Sequence, residues 1–164
     1  MFKSKATWWK GTRGEWYVVV QIALFALLVF GPRTWSVLPA WKSPYLQIGS
    51  IAGGVSMAVG IFFVMAGIVN LGANITAVPR PKDMATLVET GLYRLVRHPI
   101  YSGVILAAFG WALFIHGWLT IGYAMILYVY FDFKASYEEQ CLKEIFPDYA
   151  SYQRRVPKLI PFLY

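Results

Sequence analysis

Cysteine is almost missing from this chain: the single Cys141 among 164 residues excludes an internal disulfide framework and any paired-cysteine metal or redox motif. It leaves the redox compartment open, although the basic C-terminal segment around it suits a reducing cytoplasm. Histidine occurs twice, as His98 and His116, and no H-E-x-x-H or G-x-S-x-G occurs. A zinc protease and a serine hydrolase of the usual kinds therefore find no support. Charge is scarce too, at 14% of residues against 58% hydrophobic, which is outside the range of a soluble domain of this length. The formal net charge of +7 comes from basic residues scattered between apolar runs, with no long arm or stripe of the kind nucleic-acid binding needs. No nucleic-acid partner is expected.

What is abundant is long apolar sequence. Four blocks stand out, at 16–30, 46–71, 99–115 and 118–131. They predict an all-α integral membrane protein of about four transmembrane helices, one membrane domain over 1–164. The N-terminus is basic and aromatic without a small-residue cleavage site, so it reads as an anchored lead-in and not a removable signal. Gly31-Pro32 ends the first block, and a Trp- and Pro-rich connector over 33–45 suits the headgroup level. The second block carries Gly49, Gly53, Ser56, Gly60 and Gly67, a small-residue pattern that lets helices approach closely. Only His116-Gly117 separates the third and fourth blocks, which predicts a tight helical hairpin with His116 as a solvated turn residue. Beyond Asp132 the pattern becomes amphipathic and charged, reading as a helix broken at Pro147 and a second short helix before Pro157.

Four spans put thirteen of the 15 basic residues on one side, leaving Arg33 and Lys42 on the other. The positive-inside rule then places both termini and the long polar loop of 72–98 in the cytoplasm. All eight acidic residues fall on that side as well, so polar chemistry belongs at the cytoplasmic face.

Two clusters could carry it. One is Tyr93, Arg94, Arg97, His98, Pro99, Tyr101 and Gly103 at the mouth of the third span, where proline suits the first helical turn. A helix N-terminus beside Arg97 and His98 is a plausible anion site, with Gly103 admitting a ligand near the backbone. Equally, the arginines could be topology determinants and the tyrosines interfacial anchors. The other cluster is Asp132, Lys134, Glu138 and Glu139, with Lys134 and Glu138 four apart on one helix face, the spacing of an ordinary surface ion pair. The hairpin returns this cluster to the first. Tyr137, Tyr149 and Tyr152 read as packing residues.

The segment ATLVETGLYRLVRHPIYSG, with KASYEEQCLKEIFPDYASYQRRVPKLIPF after the hairpin, resembles the superfamily of isoprenylcysteine carboxyl methyltransferases and phospholipid methyltransferases, small membrane enzymes. The shared elements are R-H-P-x-Y-x-G, E-E-x-x-L and F-x-x-Y-x-x-Y-x-x-x-V-P, in order, over the C-terminal half. The resemblance implies S-adenosylmethionine as cofactor, bound through Ala85, Thr86, Leu87, Val88, Tyr93, His98, Pro99, Ile100, Tyr101 and Glu138. It implies that 72–164 is the cofactor-binding part and that 1–71 faces the substrate, a lipid or lipidated molecule from the bilayer. No metal is implied. Lys134 stands where the isoprenylcysteine enzymes have an arginine implicated in the methyl-accepting carboxylate; it keeps the charge and loses the two-pronged fork. Lys134 and Glu138 are the candidate catalytic residues, Lys134 also holding substrate. For an amine acceptor, Glu138 or Glu139 takes a proton; a carboxylate needs no base and Lys134 orients it. Two other readings are a membrane reductase using a nicotinamide cofactor, whose tails resemble Pro157-Lys-Leu-Ile-Pro161, and a non-catalytic scaffold. The Glu138-Glu139 pair speaks against the reductase.

Overall fold

The structure is a computed structural model that describes residues 14–80 and 86–161. Five α-helices follow in order: α1 Glu15–Phe30, α2 Tyr45–Leu71, α3 Pro99–Phe114, α4 Trp118–Ile145 and α5 Tyr149–Arg155. No strand occurs among the described residues. The four apolar blocks are thus helices at nearly the expected bounds. The fourth differs: α4 does not stop at Phe131 but runs unbroken for 28 residues, apolar in its first half and charged from Asp132 onward. One rigid helix therefore carries Lys134, Glu138 and Glu139 straight down from the bundle. The break at Pro147 is as expected, with α4 ending at Ile145 and α5 beginning at Tyr149.

Helices α2 and α3 pack backbone to backbone. The buried residues of α2 are Gly49, Gly53, Gly60 and Gly67, and Gly60 and Gly53 oppose Gly103 and Gly110 of α3. A Cβ on Gly60 would lie 2.6 Å from the Gly103 carbonyl oxygen, and one on Gly53 2.6 Å from that of Gly110. Any side chain there would force the helices apart, so the small-residue spacing is a packing seam. Gly103 belongs to it, and the expectation that Gly103 admits a ligand is overturned: the backbone it approaches is that of α2.

On the other flank α1 packs on α4. Leu28 of α1, Ile105 and Ala108 of α3, and Ala124, Leu127 and Phe131 of α4 share a core closed by Leu159 of the tail. The far end is an aromatic knot: Trp118 donates its indole N–H to the Pro39 carbonyl at 2.8 Å, and Trp41 stacks 5.0 Å from the Trp118 ring. His116 is not a free turn residue. Its Nε2 donates to the Leu46 carbonyl at 2.9 Å and its ring meets the edge of Trp41, docking the hairpin onto the start of α2. Arg33 and Lys42 lie at this end and the polar clusters at the other.

Helix α2, taken with the single 3-10 turn of Gly72–Asn74, is the one described helix both long and apolar enough to cross a membrane, with only 17% of its apolar window buried. Ile48, Ile51, Val55, Phe62, Met65 and Val69 are exposed along it. Helices α1 and α3 are apolar but have 16 residues each, about 24 Å at the usual rise, a little short of a ~30 Å hydrocarbon core.

Candidate active site

The sequence R-H-P opens α3 and is held by the end of the chain. The amides of Arg97 and His98 donate to the carbonyls of Pro157 and Lys158 at 2.9 and 3.2 Å, and the Ser102 hydroxyl donates to the Leu159 carbonyl at 2.6 Å. Residues 157–159 thus form a strap across the start of α3. The Arg97 guanidinium serves the same join: it donates to Glu139 Oε1 at 2.7 Å, to the Gln153 carbonyl at 3.0 Å and to the Val156 carbonyl. These partners consume the groups that an anion site at this helix start would need. Arg97 is a lock between α3, α4 and the tail.

Glu139 is the centre of that lock. Besides Arg97 it faces His98 Nε2 at 3.1 Å and accepts from Gln153 Nε2 at 2.8 Å. Burial alone would raise its carboxyl, but hydrogen bonds and charge from His98 and Arg97 outweigh that and hold it down to about 2. A carboxylate so held, with Arg97, His98 and Gln153 on its two oxygens, is a poor proton acceptor and serves the lock.

Glu138, one residue earlier, faces the other way. Tyr101 donates its phenol to Glu138 Oε2 at 2.7 Å, His98 Nδ1 lies 3.9 Å from the same oxygen, and the His98 and Tyr101 rings stack within 5° of parallel. Imidazole and phenol together orient one carboxylate into a cavity of about 290 Å³, at the lower end for small-molecule sites.

Its lining gathers what the sequence scatters. Thr86, Leu87, Val88, Tyr93, His98, Ile100, Tyr101, Lys134 and Glu138 all line it. The segment 86–88 is tied down by a two-way bond in which the Thr86 amide donates to Asn74 Oδ1 at 3.1 Å and Asn74 Nδ2 donates to the Thr86 hydroxyl at 3.2 Å. The turn before Tyr93 rests on α2, with Leu92 N donating to Asn70 Oδ1 at 3.0 Å and Gly91 in a left-handed conformation against Asn70, where any Cβ would collide. Pro99 is the exception: it is fully buried beside Gly67 and stands behind the lining. Ala85 lies outside the described residues.

Lys134 and Glu138 share a helix face as expected, but no carboxylate oxygen lies within 4.0 Å of Lys134 Nζ among the described residues. The ammonium donates instead to Gln21 Oε1 at 2.6 Å and to the Ala77 carbonyl at 3.2 Å, and sits 5.3 Å over the Tyr101 ring. It is 2% exposed. A surface ion pair is therefore replaced by a buried cation on neutral partners, and burial lowers it to about 8 although the Glu138 charge pulls the other way.

Two cavity residues were not assigned to the site from the sequence. Gln21 reaches the cavity from α1; a lone amide in an apolar span is the only signal it gives. Tyr149, taken for packing, lines the cavity while its buried phenol has no hydrogen-bond partner among the described residues. A neutral phenol is ensured by burial, which raises it.

The chain has relatives among known proteins. The profile of the phospholipid methyltransferase family matches residues 48–149. The chain is 31% identical over 118 residues to a probable protein-S-isoprenylcysteine O-methyltransferase of Oryza sativa subsp. indica, covering 70% of this chain and 62% of that one. It is 33% identical over 93 residues to the protein-S-isoprenylcysteine O-methyltransferase of Schizosaccharomyces pombe, covering 56% and 39%. The cobalt-zinc-cadmium resistance protein CzcN of Cupriavidus metallidurans is 33% identical over 158 residues, 92% of this chain and 63% of that one. Among solved structures, the eukaryotic intramembrane Ras methyltransferase ICMT (isoprenylcysteine carboxyl methyltransferase) superposes with a TM-score of 0.64 at 21% identity, covering 93% of this chain and 53% of that one. The chain thus spans less than two thirds of the length of these relatives.

Proposed function

The chain belongs to the phospholipid methyltransferase family, and from that premise we propose that it transfers a methyl group from S-adenosylmethionine to the carboxylate of a lipid-borne acceptor. The observation that carries the choice of acceptor is Lys134. A buried ammonium hydrogen-bonded only to neutral groups has its desolvation offset just in part by the Glu138 charge, and gains further when an anion arrives beside it. A protonated amine, the phospholipid alternative, would meet the same ammonium and be repelled. The family favours methyl transfer over the reductase and scaffold readings.

The cavity suits S-adenosylmethionine, whose sulfonium supplies an activated methyl group. Glu138, held on one oxygen by Tyr101, offers its other oxygen to a ribose diol or an ammonium. Thr86 to Val88 and Tyr93 offer edge and backbone contacts, and the partnerless Tyr149 phenol is a donor still to be satisfied. With Ala85 and Pro99 these are the residues proposed for the cofactor, Pro99 acting from behind by fixing the start of α3. Little more is needed from side chains, because displacement at a sulfonium methyl depends on alignment and exclusion of water. Lys134 orients the acceptor oxygen, and no base is required.

The enzyme is read as a single multi-pass membrane domain in which α1 to α3 and the apolar half of α4 span, with both termini and the cavity at the cytoplasmic face. The exposed apolar face of α2 supports this. The acceptor enters from the bilayer beside the N-terminal helices. Calorimetry on detergent-purified protein with S-adenosylhomocysteine and NADPH in parallel tests the cofactor, and binding of NADPH alone rejects it. Labelled methyl transfer to a farnesylcysteine analogue against phosphatidylethanolamine tests the acceptor; labelling of the amine alone rejects the carboxylate.

A further inference from the structure

We infer that Gln21 and Lys134 act together as a two-point clamp for the acceptor carboxylate, so that specificity at this site is shared between α1 and α4. The inference rests on the carboxylate reading above. An ammonium has three N–H donors and no acceptor. Two of Lys134's donors are committed, to Gln21 Oε1 at 2.6 Å and to the Ala77 carbonyl at 3.2 Å, leaving one for a ligand. Because Lys134 only donates, the Gln21 carbonyl must be the end turned toward it, which turns the amide nitrogen away. That nitrogen donates to no described residue, and Gln21 and Lys134 both line the cavity. Two groups with a donor to spare, one cationic and one neutral, thus line the same cavity, and no carboxylate oxygen of a described residue lies within 4.0 Å of the ammonium. A carboxylate has two oxygens to receive them.

The pair does with two side chains what one guanidinium does with its fork. Gln21 also fixes the ammonium, which as a point charge on a flexible stem has no preferred orientation of its own. In the reaction a carboxylate oxygen bonds to the sulfonium methyl carbon, the carbon–sulfur bond breaks, and its electron pair stays on sulfur as a neutral thioether. The product ester is uncharged, so the clamp loses most of its hold on it and release follows.

The test is a double-mutant cycle on the full chain, reading KM for a farnesylcysteine analogue, with S-adenosylhomocysteine affinity and thermal stability as controls on the fold. Gln21→Leu is expected to raise KM about tenfold or more with cofactor affinity unchanged. In a Lys134→Arg background the same change is expected to cost less than about twofold, because the fork supplies both donors. Equal cost in both backgrounds, or no cost in the parent, overturns the clamp. Gln21→Glu gives a second reading independent of the arginine variant: a carboxylate placed on Lys134 should raise KM further than Gln21→Leu does, and an equal or smaller rise also overturns it. A parent chain that binds S-adenosylhomocysteine but methylates only an amine removes the carboxylate reading and the clamp with it, whereas a parent active on the farnesylcysteine analogue isolates the clamp as the point under test.

Discussion

Lys134 and Glu138 stand one helical turn apart on the same face of α4 and do not pair: the ammonium turns to Gln21 and Ala77, the carboxylate to Tyr101. Separating two opposite charges in one small cavity leaves each available to a different ligand.

Glu138→Gln is expected to weaken S-adenosylhomocysteine binding at least tenfold, the scale of a hydrogen bond to a charged group, with thermal stability little changed. His98→Ala should also weaken binding, by freeing the Tyr101 and Glu138 side chains it supports. Calorimetry decides, and unchanged affinity in both variants means the cofactor lies elsewhere.

Tyr149→Phe should do two opposite things. Removing a buried phenol without a partner should leave the ligand-free protein as stable or slightly more so, since the donor costs about 1–3 kcal/mol while unsatisfied. Cofactor affinity should fall. Loss of stability without ligand would show that the phenol has a structural partner after all.

For Lys134 the pH dependence has a definite sign. Burial lowers the ammonium to about 8, so it loses its proton as pH rises through that value. Anion binding needs the charged form, and kcat/KM for a carboxylate acceptor should fall above about pH 8, the region in which free-enzyme ionisations are read. Lys134→Arg should abolish that alkaline limb. A limb that persists in the arginine variant belongs to another group.

Glu139 sets the acid side. Its folded carboxyl is held at about 2 against about 4.3 for an ordinary glutamate, so the stability it contributes is full above the ordinary value and lost as pH falls toward 2. Glu139→Gln breaks a buried pair with Arg97 and should cost about 3–5 kcal/mol near neutrality. Melting curves from pH 7 down to 3 should show the gap between parent and variant closing. A gap independent of pH would put the cost in packing.

The chemistry-bearing half of the molecule was readable because its motif is contiguous. R-H-P-I-Y runs into the start of α3 and E-E sits on α4, and the hairpin of the two helices dictates that they meet. Gln21 was not readable, since an amide among valines and leucines on α1 gains its meaning only when α1 packs on α4. Arg97 and Glu139 misled in the same way: as exposed charges they suggested ligand chemistry, and only the folded-back tail shows them to be a join. Gly103 was assigned to a ligand because the sequence cannot say which backbone a glycine approaches.

The seam of α2 and α3 offers its own control. Gly60→Val should destabilise by at least about 1–3 kcal/mol, since its Cβ would sit 2.6 Å from the Gly103 carbonyl. Gly54 has nothing within 4 Å of an added Cβ, and Gly54→Ala should be neutral or gain up to ~1 kcal/mol in helix propensity. Thermal unfolding in detergent compares the two. Similar losses would move the contact to the wrong face of α2.

The strap of 157–159 across the start of α3 also fixes an order of assembly. Synthesis runs through α1 to α4 before those residues are made, so the hairpin of α3 and α4 exists while Arg97 still lacks its carbonyl partners in the tail and the amides of Arg97 and His98 are uncapped. The start of α3 is therefore secured last, and a chain halted near Arg155 would carry all five helices with the amides of Arg97 and His98 still untied.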